Sequence, residues 1–455
     1  MQRTSAARQV TTRECCSGAA LAADLPGVGL RRARAFSRRE LLALLARGAG
    51  AAVAAPSLLE LLCRHSLAQE TSGRAPAKRL LLIWLEGGPS QIDTFDPKPG
   101  ARTNGPFKAL PTDVKGWTMS EHLPGLARRA ERLAVVRTMT SKEGSHTRAR
   151  ELLHCGYPPN PSVTFPSLGS IVAHEVGDLD FDLPAFVQVG GIPSGSGYLG
   201  VQSAPFVLRD PTRKIENFDY GRGDGKELMD HREEMRAALE AEFARRGGAR
   251  AVDVNEIQRK RARRLMETKL ARAFDLEEEP GATRRAYGPE TFGQGVLLAR
   301  RLLEHGVTAV EVILDGWDTH IDNFNRTRQL CAQLDPALSA LLDDLKSRGL
   351  HDETLVVCMG EFGRTPTITP AAGRNHWPNN YCVLLAGGGM KGGTVVGETD
   401  EQGEKIVSRP VQVPDLFATI AQTLHLERDK VFQASTTRPV KLIDPNGAVV
   451  SELLA

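Results

Sequence analysis

The 455-residue chain has little net charge: 58 lysines and arginines against 55 aspartates and glutamates leave +3. Several of the arginines lie near the N-terminus, so the balance implies no general affinity for nucleic acid. The seven cysteines, Cys15, Cys16, Cys63, Cys155, Cys331, Cys358 and Cys382, contain no CxxC pair. A thiolate zinc site is thereby disfavoured. Cys358 and Cys382 sit inside apolar runs and read as buried free thiols, and the spacing of the last four gives no argument for a disulfide. Beyond the N-terminal segment there is no run of 18 or more apolar residues, so no integral membrane span is expected in the mature chain. Gly387-Gly388-Gly389 is a bare turn without the spaced pattern that cradles a pyrophosphate, so no nucleotide cofactor is expected. The remaining composition, 41% hydrophobic and 25% charged, is that of a soluble globular protein. The length suffices for one large domain or two modest ones.

What is present begins with an address. Residues 1–72 read as a twin-arginine-type signal peptide and leader. Phe36-Ser37-Arg38-Arg39-Glu40-Leu41-Leu42 places an arginine pair before a weakly hydrophobic, alanine-rich stretch interrupted by Arg47. Ser66-Leu67-Ala68 offers small residues for cleavage before Gln69. The expectation is a periplasmic or secreted protein exported already folded; the alternative is an amphipathic N-terminal helix of the domain. Glu60-Leu61-Leu62 before Cys63 lacks the small residues of a lipoprotein signal.

The domain, residues 73–455, is organised around Thr354 to Pro378, TLVVCMGEFGRTPTITPAAGRNHWP. Its apolar opening suits a fully buried parallel strand. The strand ends in Gly360-Glu361-Phe362-Gly363-Arg364, and His376 follows in a Gly/Pro-rich loop. In open α/β sheets ligands sit beyond the carboxyl ends of the strands, so this turn is a candidate site. Lys78 to Glu86, KRLLLIWLE, is a first buried strand ending at Glu86-Gly87-Gly88, with Asp93 and Asp96 just beyond. Leu133-Ala134-Val135-Val136 is a second. After it Ser145, His146 and Thr147 open a helix to Cys155 that stops at Gly156-Tyr157-Pro158. A helix N-terminus favours a phosphate or sulfate, although serine there is more often an N-cap. VTAVEVIL, Val307 to Leu314, ends at Asp315-Gly316-Trp317-Asp318-Thr319-His320, and Asp318 with His320 forms half a metal site. A helix from Pro336 to Lys346 then leads into the Leu355 strand as a βαβ unit. Strands at Cys382 to Ala386 and Thr394 to Val396, and a helix from Pro414 to Leu424, complete the domain. Residues 200–290 carry a charged helical pattern, read as an insertion or lid with solvated faces.

Acids, histidines and a hydroxyl thus gather beyond several strand ends: Glu86, Ser145, His146, Asp318, His320, Glu361 and His376. The set argues for a metal-assisted hydrolase.

At these blocks the sequence resembles a known family. WLEGGPSQIDTFDPKP, KEGSHTRARELLHCGYPP, GWDTHIDNF, GEFGRTP, GRNHWP and LLAGGGMKGG are similar to the bacterial domain of unknown function 1501 family. That family is in turn similar to the alkaline phosphatase and sulfatase superfamily. The resemblance implies an α/β fold, an alkaline-phosphatase-like three-layer sandwich with a largely parallel central sheet and a helical insertion. It also implies an exported, metal-dependent hydrolase of phosphate or sulfate esters. Metal ligands would come from Glu86, Asp93, Asp318, His320, Glu361 and His376, holding zinc, calcium or manganese at one site rather than two. Ser145 or His146 falls at the nucleophile position, and Arg364 would bind the anion. An anionic ester or glycan is the implied substrate. Phe362 stands where the superfamily has a metal-binding histidine, which favours the alternative of a catalytically degenerate binding or scaffold protein in the envelope.

Overall fold

The structure, a computed structural model, describes residues 77–215, 218–220, 225–434 and 439–455. The targeting segment expected over residues 1–72 lies outside the described residues. Among the described residues the centre is a nine-stranded sheet. Its strands are β1 (Arg79–Glu86), β2 (Leu133–Thr140), β3 (Phe186–Val189), β4 (Phe206–Leu208), β5 (Ala309–Asp315), β6 (Thr354–Met359), β7 (Tyr381–Ala386), β8 (Thr394–Val396) and β9 (Val411–Gln412). They lie in the order β8-β2-β7-β6-β1-β5-β3-β4, with β9 also beside β2. β7 runs antiparallel to both β2 and β6, and the other pairings are parallel.

Continuous apolar runs make sense here because each inner strand is buried on both faces. In β1, Leu81, Ile83 and Leu85 enter one core with α5 (Thr291–Glu304) and α6 (Asn323–Ser347). Leu80, Leu82 and Trp84 enter a second core with α1 (His146–Cys155), α2 (Leu168–Glu175) and α7 (Val413–Thr423). Helices therefore cover both faces, and the fold is the expected three-layer α/β sandwich. Each such leucine or isoleucine contributes roughly 1.5–3 kcal/mol by leaving water. Cys155, Cys331, Cys358 and Cys382 are free and buried.

Two expectations change. α6 begins at Asn323 and runs through Pro336, which was expected to start it. The proline ring costs that helix a main-chain hydrogen bond, yet Asp335 beside it has a second task. Its carboxylate accepts the N–H groups of Gly125 and Leu126, both at 2.8 Å, at the start of the short helix Pro124–Ala127. Replacing Asp335 with alanine is expected to cost about 1–3 kcal/mol, because two buried donors lose their acceptor; urea denaturation measures it. The insertion, too, starts later than position 200, since Phe206–Leu208 pairs in the main sheet. Its helices are α3 (Gly225–Phe243), which buries none of its residues, and α4 (Ala249–Glu267), which buries Leu265. A cavity of about 860 Å³ lies between them, and none of the candidate site residues lines it. Among the described residues no helix is long and apolar enough to cross a membrane.

Candidate metal centre

The carboxyl ends of β1, β2, β5 and β6 share one edge of the sheet, and the chemistry collects there. β2 leads to His146, the first residue of α1. β5 leads to Asp318 and His320, and β6 to Glu361. His376 is brought in by a two-residue ribbon, in which His376–Trp377 pairs antiparallel with Gly363–Arg364.

Each imidazole is pinned through Nδ1. His146 donates to Glu361 Oε1 at 2.6 Å, His320 to Asn375 Oδ1 at 3.0 Å, and His376 to the Gly144 carbonyl at 2.8 Å. These acceptors carry no hydrogen, so Nδ1 is the donor in each contact and Nε2 is the nitrogen left facing inward. The three Nε2 atoms converge on Asp318 Oδ1, at 3.4 Å from His146, 3.1 Å from His320 and 3.6 Å from His376. His320 and His376 bring their Nε2 atoms within 2.9 Å of each other. His146 Nε2 is buried without a hydrogen-bond partner. Three ring nitrogens and a carboxylate oxygen gathered this closely call for positive charge among them, as protons or as a metal ion.

The residues fit a divalent cation. Zinc takes imidazole nitrogen and carboxylate oxygen about 2.0–2.2 Å away, so tetrahedral ligand atoms stand roughly 3.3 Å apart. His146, Asp318 and His376 each place one ligand atom within 4.8 Å of the others; His320, outside that group, brings its Nε2 to 3.1 Å from Asp318 Oδ1 and 2.9 Å from His376 Nε2. Nδ1–H donated to a carboxylate or a carbonyl is the outer-shell arrangement that fixes a ligating histidine. Asp318 and His320 keep 47% and 42% of their side chains exposed, so one side of the centre is open to solvent.

The electrostatics are uneven. The hydrogen bond to Glu361 raises the pKa of His146, while burial opposes it. Burial lowers that of His376. For Asp318 burial acts upward, but the hydrogen bond and charge of Arg364, with His146 and His320, bring the net shift down.

The match to the family described as Protein of unknown function (DUF1501) spans residues 77–454. The chain is a DUF1501 protein. Solved structures that the chain matches include the PsFucS1 sulfatase from Pseudoalteromonas sp., at 13% identity over 82% of this chain and 72% of that one, with a TM-score of 0.38. The lipoteichoic acid synthase LtaP from Listeria monocytogenes is 10% identical over 80% and 78%, with a TM-score of 0.37. The phosphonate monoester hydrolase SpPMH from Silicibacter pomeroyi is 14% identical over 83% and 76%, with a TM-score of 0.33. Comparison with curated proteins finds no match.

In this DUF1501 chain the carboxylates divide between the centre and its surroundings. Glu86 does not join the histidines: it accepts from Trp84 Nε1 at 2.5 Å, stands 3.5 Å from Arg150 Nη1, and burial raises its pKa. Asp93 is fully buried and paired with Arg374 at 2.7 Å. Glu361 is wholly buried and takes the Gly87 N–H at 2.9 Å as well as His146, so it orients a ligand rather than being one. Arg364 is wholly buried. It donates to the carbonyls of Gly88 (3.0 Å), Arg374 (3.2 Å) and Gly87, and to Asp318 at 2.6 Å. Ser145, exposed at the N-cap of α1, makes no capping bond with its side chain. Phe362 walls the centre, its ring 4.6 Å from that of His376 and 4.9 Å from that of His146. Two acceptors, Asn375 and the Gly144 carbonyl, were absent from the sequence-derived set. Asn375 adjoins His376, but its partner is the distant His320.

Proposed function

We propose that this protein is a metal-dependent hydrolase of phosphate or sulfate esters, exported through the segment around Arg38 and Arg39. One observation carries the reading: three imidazoles fixed through Nδ1 direct Nε2 at Asp318, and one of those nitrogens is buried without a partner. His146, Asp318, His320 and His376 would hold the ion. A divalent cation there supplies Lewis-acid polarisation and an acidified water. The chain's own residues do the rest. Glu361 holds the His146 ring, and the first turn of α1 presents free N–H groups to an oxyanion. The Ser145 hydroxyl, unused as a cap, stands next to His146 as the candidate nucleophile. An anionic ester, including a sulfated or phosphorylated glycan, matches this set of groups.

Phe362 favours a second reading, a binding protein, because an apolar ring fills the place of a further ligand. Elemental analysis of the purified protein and its His320→Ala variant, followed by assay with 4-nitrophenyl phosphate and sulfate, separates the two. The hydrolase reading expects about one zinc, manganese or calcium per chain, lost in the variant, with ester turnover that follows the metal. Bound metal without turnover on any ester favours the binding protein. No metal in either protein sinks the metal-hydrolase reading.

A further inference from the structure

We infer that Asp93, Arg374 and Asn323 are positioning residues that set the separation of His320 and His376; the inference rests on the metal-centre reading above. The two histidines come from different loops, and their Nε2 atoms lie 2.9 Å apart. Neither loop is held there by its histidine alone. Arg374, fully buried, joins them: its backbone N–H donates to the Thr319 carbonyl at 3.0 Å, one residue before His320, and it stands two residues before His376.

The Arg374 guanidinium uses all five of its N–H groups within the protein. Nε donates to Asp93 Oδ2 at 2.7 Å. Nη2 donates to Asp93 Oδ1 at 3.0 Å and to the Thr103 carbonyl at 2.8 Å. Nη1 donates to the carbonyls of Thr365, at 3.1 Å, and Pro366. Asp93 Oδ2 accepts a further bond from Asn323 Nδ2 at 2.8 Å, and Asn323 Oδ1 accepts from the Thr319 hydroxyl at 2.6 Å. Asn323 is wholly buried. The circuit from Thr319 through Asn323, Asp93 and Arg374 back to Thr319 is closed. Gly373 presses the loops together, since a Cβ on it would overlap the His320 carbonyl. A planar, bidentate fork held on a buried carboxylate fixes direction as well as distance, which is what a ligand pair needs from its surroundings.

The test titrates the full-length protein with Co²⁺, whose visible absorption reports ligand geometry, and then measures Zn²⁺ affinity by competition. The variants are Asn323→Ala and Asp93→Asn, with Asp343→Asn at an exposed ion pair as control. Asn323→Ala leaves the Asp93–Arg374 pair intact, so it decides the matter if Asp93→Asn fails to fold. The expected result is affinity weakened roughly 10–100-fold with an altered Co²⁺ spectrum in the clamp variants, and wild-type behaviour in the control. Clamp variants that fold and bind as the wild type does would overturn the positioning role while leaving the metal centre standing. A wild-type protein that takes up no Co²⁺ overturns both.

Discussion

Asp318→Asn is expected to strip the protein of stoichiometric metal while leaving it folded. Asp318 is the one carboxylate in a set otherwise made of imidazoles, and its Oδ1 is the atom all three Nε2 groups approach. An amide in its place removes the charge, and its N–H₂ can bond to an imidazole lone pair. Loss of an outer-shell partner typically costs 10–100-fold in affinity, so loss of the anionic ligand should exceed about 100-fold. Folding should survive, because Asp318 is half exposed and Arg364 keeps three main-chain acceptors. Metal analysis beside a thermal melt checks both halves. Metal retained at wild-type stoichiometry would place the ion elsewhere, although among the described residues the group of His146, Asp318 and His376 is the one with ligand spacing.

Gly87→Ala should damage stability and metal binding together. Gly87 follows β1 with φ of +110°, a conformation that L side chains rarely adopt. A Cβ there would overlap the Asp318 amide nitrogen and stand 2.8 Å from the Trp317 carbonyl carbon. Gly87 N–H also feeds Glu361, which holds His146. Backbone strain alone costs about 1–3 kcal/mol, and with backbone atoms unable to yield the total should reach about 3 kcal/mol or more. Gly100→Ala is the control: φ is +84°, but a Cβ meets nothing within 4 Å. Chemical denaturation and metal content of the two variants separate strain from collision. Equal losses in both would mean that the approach of Gly87 to Asp318 is unimportant.

The strands were legible in the sequence for a physical reason. In β1, β5 and β6 both faces are buried, so polar alternation disappears and the apolar run itself marks the strand. Their carboxyl ends then point to Asp318, His320 and Glu361. The same logic could not tell which acids turn toward the histidines. Glu86 ends a buried strand and Asp318 follows one, but Trp84 and Arg150 capture Glu86. Asp93 is claimed by Arg374, far along the chain. Arg364 carried the right charge for an oxyanion, and only its burial shows that the charge serves main-chain carbonyls and Asp318. Pro336 misled for a local reason: a proline usually opens a helix at its first turn, and the capping carboxylate of Asp335 serves a segment distant in sequence.

The place of β1 in the sheet sets a schedule for synthesis. It is the first strand of the sheet to be made, yet it lies between β5 and β6. Leu80 pairs with Ala309, roughly 230 residues later, and Arg79 with Thr354, later still. At ribosomal speeds of about 5–20 residues per second, β1 emerges roughly 10–45 seconds before its first partner exists. For that interval its apolar run from Leu80 to Leu85 has both edges unpaired, the form of chain most prone to aggregate. The residues of the centre all lie beyond β1 in sequence, and His376, the last of them, is made only after both strands that flank β1.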